Sequence, residues 1–488
     1  MTRRNAVYLC NECAATALQW VGRCPGCGQW NTLSLTPTLH AAPGRPVPTT
    51  TTPVPLRHVD SDAAHPLPTG VSELDRVLGG GLVAGSVTLV FGPPGVGKST
   101  LLFQVLASVA ATGLDVLLAS AEESLAQVSG RAIRIGPVPD HLLALEGHDL
   151  DAIEAAMAHH PHPALVVVDS IQSISDRQLP QAAGSLAQVR ACVERLTRTA
   201  KATNVPVVLV GHVTKDGELA GPRAVEHLVD TVLSFDGDRH HSLRVLTAVK
   251  HRFGPAGEVG IFEMRDDGLR AVPDPGPLML GDRMSGIPGS VVVPVLQGRR
   301  PLLVEVQALL GSTAGTAATA GTAATAGTAA TAGTPGSRPP RTLGIDAARV
   351  ALLMAVLGCR AGVVTGSAEV FVAAVGGITI TEPAADLAVA LAVASLAQGH
   401  VIPADLVVFG ELGLAGEVRM VPAADRRLAE AGRAGFTQAL VPASTPREAW
   451  PPGLHVHPVR TLTEALDAVA PQPTPGTMPS WLTGPASR

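Results

Sequence analysis

The run Gly92-Pro93-Pro94-Gly95-Val96-Gly97-Lys98-Ser99-Thr100 has the residue types and spacing that hold a nucleoside triphosphate. It fits GxxxxGK[ST] in full, follows the apolar run SVTLVF and opens the helical pattern STLLFQVLASVAATG, the context this motif requires. Glycines let successive backbone N–H groups converge on phosphate oxygens, and a helix N-terminus adds a favourable dipole. Lys98 is expected to neutralise the β- and γ-phosphates and to stand exposed in an empty loop. The Ser99 hydroxyl is expected to coordinate Mg2+. ATP is the expected ligand.

Two downstream segments carry carboxylates. The apolar run Leu165-Val-Val-Val-Asp169 ends on an acid, the way such folds set a carboxylate beside the metal. Ala121-Glu122-Glu123-Ser124 follows the run DVLLAS, and one of its acids can polarise the attacking water. Glu122 is the expected group and Glu123 the alternative. A competing reading is that both only favour the N-terminus of the next helix.

Cys10-x-x-Cys13 and Cys24-x-x-Cys27 are two knuckles ten residues apart. Two CxxC turns can close a tetrahedral four-cysteine site, so structural Zn2+ is expected here. Trp20 and Trp30 are expected to pack around the metal. Cys192 and Cys359 lie in helical patterns and read as core residues.

These groups need a scaffold, and 488 residues are enough for about three domains. Hydrophobic residues make up 46% and charged residues 16%, which excludes a chain disordered throughout. Six cysteines are too few for a disulfide framework. A net charge of −5 excludes a generally basic nucleic-acid coat, so any DNA contact must come from a local patch. No secretory signal follows Met1. The most apolar stretch, Leu387 to Ala397, is far shorter than the ~20 residues of a membrane span and predicts a buried helix. A soluble, cytoplasmic protein without membrane contact is expected.

The organisation follows from composition. Residues 1–34 form the zinc finger, and 35–66, rich in Pro and Thr, a linker. Over 67–272 the runs SVTLVFG, DVLLAS, ALVVVDS, PVVLVGH and TVLSFDG alternate with helical patterns, predicting a mostly parallel α/β sheet. A second α/β region covers 273–470, with a TAGTAA repeat insertion at about 312–340 that has no apolar face and reads as disordered. Residues 471–488 are a Pro-rich tail.

The segments TGVSELDRVLGGGLVAGS, SAEES, VVVDSIQS, GSLAQVR, GHVTKDGELAGPRAVEHLVD and KHRFG together resemble the bacterial RadA (Sms) family of RecA-like recombination and repair ATPases. The resemblance implies a RecA-like ATPase core and a homo-hexamer with ATP between subunits. Lys250 and Arg252 of KHRFG occupy the family's KNRFG motif, with His251 in place of Asn, and would reach the neighbour's phosphates. They follow the strand SLRVLTAVK, expected near the edge of the sheet. His212 matches a γ-phosphate sensor. Lys215 and Arg223 match a loop that holds single-stranded DNA. VGGITITEPAADLAVALAVAS and VVFGELGLAGEVRMVP resemble the Lon protease domain. Lon-type peptidases use a Ser–Lys dyad. Ala384 stands about where the serine would lie, and no lysine follows Lys250, so a scaffold is expected rather than a peptidase. The implied function is an ATP-dependent DNA motor promoting branch migration on single-stranded and branched DNA, with the RecA recombinase as partner. The alternatives are a non-motor ATP switch of the same superfamily and a Lon-type protease.

Overall fold

The computed structural model describes residues 7–10, 15–17, 19–36, 65–212, 225–237, 242–311, 339–365 and 368–470. Cys13, Lys215, Arg223, most of the linker, the TAGTAA repeat and the tail lie outside the described residues. The chain divides into two compact units, Met1–Pro273 and Asp274–Arg488.

At the N-terminus, β1 (Val7–Cys10) pairs antiparallel with β2 (Thr16–Ala17) and β3 (Leu33–Thr36). The only buried side chains of this ribbon's small core, among the described residues, are Cys10, Cys24 and Leu33. So little apolar material cannot enclose an indole. Trp20 and Trp30 are accordingly 54% and 69% exposed, contrary to the expectation that they pack around the metal.

The large sheet of the first unit contains β4 (Val87–Gly92), β5 (Val116–Ser120), β6 (Leu142–Glu146), β7 (Leu165–Asp169), β8 (Val207–His212) and β9 (Thr231–Asp236), all parallel. Three antiparallel strands complete it: β10 (Leu243–His251), β11 (Val259–Arg265) and β12 (Gly268–Ala271). The strand order is β12-β11-β10-β9-β4-β8-β7-β5-β6. The strand that leads to Arg252 is therefore two strands inside the edge, because β11 and β12 extend the sheet beyond it.

Alternation along the strands splits the core in two. Val90, Leu118, Val167 and Val210 face α2 (Lys98–Ala110) through Leu101, Leu102, Val105 and Leu106. Leu89, Val166, Val168 and Leu209 face the helix Leu186–Thr203 through Val189, Cys192, Val193 and Leu196. Helices on both faces explain why the central strands are continuous apolar runs. β6 is an edge strand with mostly exposed side chains, so it lacks that signal.

In the second unit a seven-stranded mixed sheet includes Ser290–Gln297, Arg300–Gly311, Glu369–Ala374 and Leu406–Val408. The helix Asp386–Gln398 is buried from Asp386 through Ser395, as its uniformly apolar sequence requires. Cys359 departs from expectation: it is exposed on the helix Ala347–Ala361, whose buried face is Val350, Leu353, Val356 and Leu357. Among the described residues, no helix is long and apolar enough to cross a membrane.

Candidate functional site

The phosphate loop joins the C-terminal end of β4 to α2. Gly92 is pressed against β9, where an added Cβ would lie 2.0 Å from the Phe235 carbonyl oxygen. Gly97 has φ +111° and abuts β11, where a Cβ would lie 2.5 Å from Met264 Cε. Gly92 has no room for a side chain against that backbone oxygen, and at Gly97 the positive φ strains any L side chain. From behind, the buried Arg244 donates from Nε to the Val96 carbonyl at 3.1 Å. Sequence reading missed this brace. Its signal was Arg244 at an inward position of β10, in period with the buried Leu246 and Ala248.

Lys98 is buried rather than exposed. Its Nζ donates to Gly92 O at 2.8 Å and Pro93 O at 3.1 Å, so the ammonium satisfies carbonyls of its own loop. Burial pushes its pKa down, opposed by the charges of Asp169 and Glu122.

Asp169 ends β7 beside Ser120 of β5, and Glu122 follows β5 by two residues. The neighbouring strands thus carry both carboxylates to the mouth of the loop. Burial raises the Asp169 pKa, while a hydrogen bond with Ser99 lowers it. Glu122 Oε1 accepts hydrogen bonds from Ser170 Oγ and, at 3.3 Å, from Ser173 Oγ. His212 Nε2, at the end of β8, stands 3.2 Å from the same oxygen, close enough for an ion pair though poorly aligned for a hydrogen bond. The His212 contact first, and then Ser170, hold the Glu122 carboxyl down at about 2 despite partial burial. Glu122, Asp169 and His212 bring one ligand atom each within 4.8 Å of one another, a donor set that suits a divalent cation.

Glu123 points elsewhere, pairing with Arg131 Nη1 at 2.9 Å. Neither glutamate caps the following helix, Leu125–Ile135; Ser124 does so, in a capping box with Gln127. Gln172, another residue not singled out from sequence, lies with Nε2 at 3.5 Å from His212 O.

KHRFG sits at the opposite end of the sheet. β10 runs antiparallel to β9 and pairs His251 with Thr231, so its end lies at the N-terminal end of the parallel strands. Asp230 N donates to Val87 O at 2.9 Å, and Val87 N to Asp230 Oδ2 at 3.1 Å. Arg252 Nη1 donates to Asp230 Oδ1 at 2.7 Å. The length of β4, roughly 17 Å at ~3.3 Å per residue, separates this pair from the phosphate loop. Lys250 Nζ donates to Glu226 O at 2.7 Å and Val229 O at 2.9 Å. His251 is buried, with Nε2 donating to Leu78 O at 3.2 Å and Nδ1 accepting from Thr231 Oγ1 at 3.0 Å. Burial lowers its pKa, opposed by the bond to Leu78 O, and the ring ties β10 to β9 and to Leu78, the residue that ends the α1 helix (Ser72–Val77).

In the ribbon, the thiols of Cys10, Cys24 and Cys27 lie within 4.8 Å of one another, and Gly26 N donates to Cys24 Sγ at 3.3 Å. Three converging sulfurs with a backbone N–H to one of them fit a thiophilic, tetrahedral metal such as Zn2+.

Two ion pairs flank Ala384 in the second unit. Arg427 donates to both oxygens of Glu382, with Nη1 2.8 Å from Oε1, and its side chain is fully buried. Arg349 grips Asp386 with Nε 2.6 Å from Oδ1, and Asp386 Oδ2 also accepts from Leu412 N at 3.1 Å. Both acids of Glu382-Pro-Ala-Ala-Asp386 are therefore structural, which motif reading did not foresee.

Fold and site define a RecA-like ATPase of the phosphate-loop class, carrying a zinc ribbon and a Lon-like C-terminal unit. Family models agree in order along the chain: a rubredoxin metal binding domain at residues 8–34, an AAA domain at 51–218, and subunit ChlI of Mg-chelatase at 377–445. The chain is 44% identical to the DNA repair protein RadA of Mycobacterium tuberculosis (strain H37Rv), covering 96% of this chain and 93% of that protein. It is also 44% identical to the DNA repair protein RadA of Pseudomonas aeruginosa, covering 96% and 100%. A crystal structure of the RadB recombinase covers 42% of this chain at 26% identity, with a TM-score of 0.35. The chain belongs to the RadA family of DNA repair proteins.

Proposed function

We propose that the chain is an ATP-driven DNA motor that promotes branch migration of recombination intermediates, working as a ring of six copies with the RecA recombinase as partner. The observation that carries this reading is the separation of Arg252 from its own phosphate loop by the full length of β4, with Glu122, Asp169 and His212 gathered at the other end. An ATPase site with its catalytic cation at the wrong end of its own sheet is completed by a neighbouring copy.

In this reading residues 92–100 cradle the ATP phosphates, and Lys98 exchanges its two loop carbonyls for phosphate oxygens. Ser99 and Asp169 would hold Mg2+, which would supply positive charge against the phosphates. Glu122, ionised at any physiological pH, orients and polarises the attacking water rather than storing its proton. The neighbour's Arg252 meets charge developing on the transferred phosphoryl group. Lys250 joins it on releasing Glu226 O and Val229 O. Lys215 and Arg223 meet the phosphates of single-stranded DNA. They lie in the segment bounded by His212 and Val225, so one end of the DNA-holding segment adjoins the residue that touches Glu122.

The test is ATP turnover with and without single-stranded DNA, alongside strand displacement on a branched substrate. DNA-stimulated turnover with branch movement is expected. Turnover indifferent to DNA would favour the non-motor ATP switch.

A further inference from the structure

We propose that Asp230 is the positioning residue for the trans-acting Arg252, an inference that rests on the reading of Arg252 given above. Asp230 immediately precedes β9, and its side chain is only 5% exposed although its partner Arg252 is 55% exposed. Each carboxylate oxygen has a separate task. Oδ2 accepts from Val87 N, and Oδ1 accepts from Arg252 Nη1. Two backbone bonds frame the same residue, from Asp230 N to Val87 O at 2.9 Å and from Arg252 N to Asp230 O at 3.1 Å. Asp230 is thus fastened to the first residue of β4 and aims a guanidinium that would otherwise explore many rotamers.

The surroundings suit an approaching anion. Arg252, Lys201, Asn204, Ser86 and Phe253 line an open pocket of about 280 Å3 whose single acidic lining residue is Asp230. Two cations against one acid leave the pocket net positive, and the acid is already engaged on both oxygens. Among the described residues, only Nη1 of the Arg252 side chain is bonded, so the rest of the guanidinium remains available to a second copy's phosphates. Pre-ordering a cation in this way raises the rate of a step that needs it, since a displacement of about 1 Å can cost on the order of 100-fold.

Asp230→Asn is the direct test, because an amide has one oxygen where the carboxylate uses two. The variant can satisfy Val87 N or Arg252, not both. It should assemble and bind ATP as wild type does, with KM for ATP unchanged and kcat lower by about tenfold or more. Asp230→Asn combined with Arg252→Ala should be no slower than Arg252→Ala alone. Mixed with Lys98→Ala subunits, Asp230→Asn should regain activity, as Arg252→Ala should in the parallel mixture. Asp230→Ser, whose hydroxyl can still accept from Val87 N, serves as the second variant if the amide does not fold, with the same loss of kcat expected. Wild-type kcat in either variant overturns the proposal. So does a defect that mixing does not relieve while the Arg252→Ala mixture recovers. If the Arg252→Ala mixture itself stays inactive in rings shown to be mixed, the trans reading fails, and this inference falls with it.

Discussion

His212 Nε2 stands 3.2 Å from Glu122 Oε1, joining the end of β8 to the residue that follows β5. One strand separates β8 from β5: β7, whose terminal Asp169 belongs to the same cluster. The contact is also the main reason that the Glu122 carboxyl is depressed to about 2 from an ordinary 4.5.

His212→Ala should therefore let the Glu122 carboxyl rise toward its ordinary value. A depressed carboxyl contributes stability that is present above the unfolded pKa and lost as pH falls through the folded one. The wild-type advantage over His212→Ala should thus fade between about pH 4.5 and about 2. Because Glu122 is 40% exposed, solvent screening keeps this effect small. Acid unfolding curves of the two proteins, followed by circular dichroism, check the window; a wild-type advantage that grows on acidification would contradict it.

Lys98→Ala should abolish ATP hydrolysis while the fold survives. Removing a buried ammonium that satisfies Gly92 O and Pro93 O should cost about 1–3 kcal/mol, from carbonyls left with poorer partners. Thermal melting and ATP turnover on the same preparation separate the two effects. Ordinary turnover would refute the site.

Arg252→Ala should form rings and bind ATP but hydrolyse it poorly. Mixing it with Lys98→Ala creates interfaces that have Lys98 on one side and Arg252 on the other. Activity should appear in the mixture although neither variant has it alone, and a titration of mixing ratios at fixed total protein measures it.

Protein purified under reducing conditions should contain about one zinc per chain by elemental analysis. A strong chelator should unfold the ribbon, whose buried core among the described residues is three side chains, and leave the melting of the ATPase sheet nearly unchanged. Joint loss of both transitions would show that the core depends on the metal.

Deleting Thr313–Thr334 should leave assembly and ATPase activity nearly unchanged. The repeat has no periodic apolar face, and shortening the connection changes loop-closure entropy by only about 1 kcal/mol. Sizing by light scattering tests this, with aggregation as the adverse result.

Much of the site was legible because its signals are local in the chain. A phosphate loop must place its glycines, lysine and hydroxyl within nine consecutive residues, and an acid at the end of an apolar strand needs only that strand to be recognised. The buried central strands were legible for the same reason. Edge strand β6, with its largely exposed side chains, was not.

The amino-acid sequence by itself determined the nucleotide site, the paired cysteine knuckles and the absence of any lysine beyond Lys250, since each depends on residue type and short spacing alone. The tertiary structure decided how those groups are used. Lys98 turned inward because loop carbonyls needed donors, and the indoles of Trp20 and Trp30 stayed outside because three core side chains cannot cover them. Asp230 met Arg252, and Arg244 met Val96, across 22 and 148 residues of chain. Pairings at such separations are set by strand order and register, and no local pattern of residues encodes them.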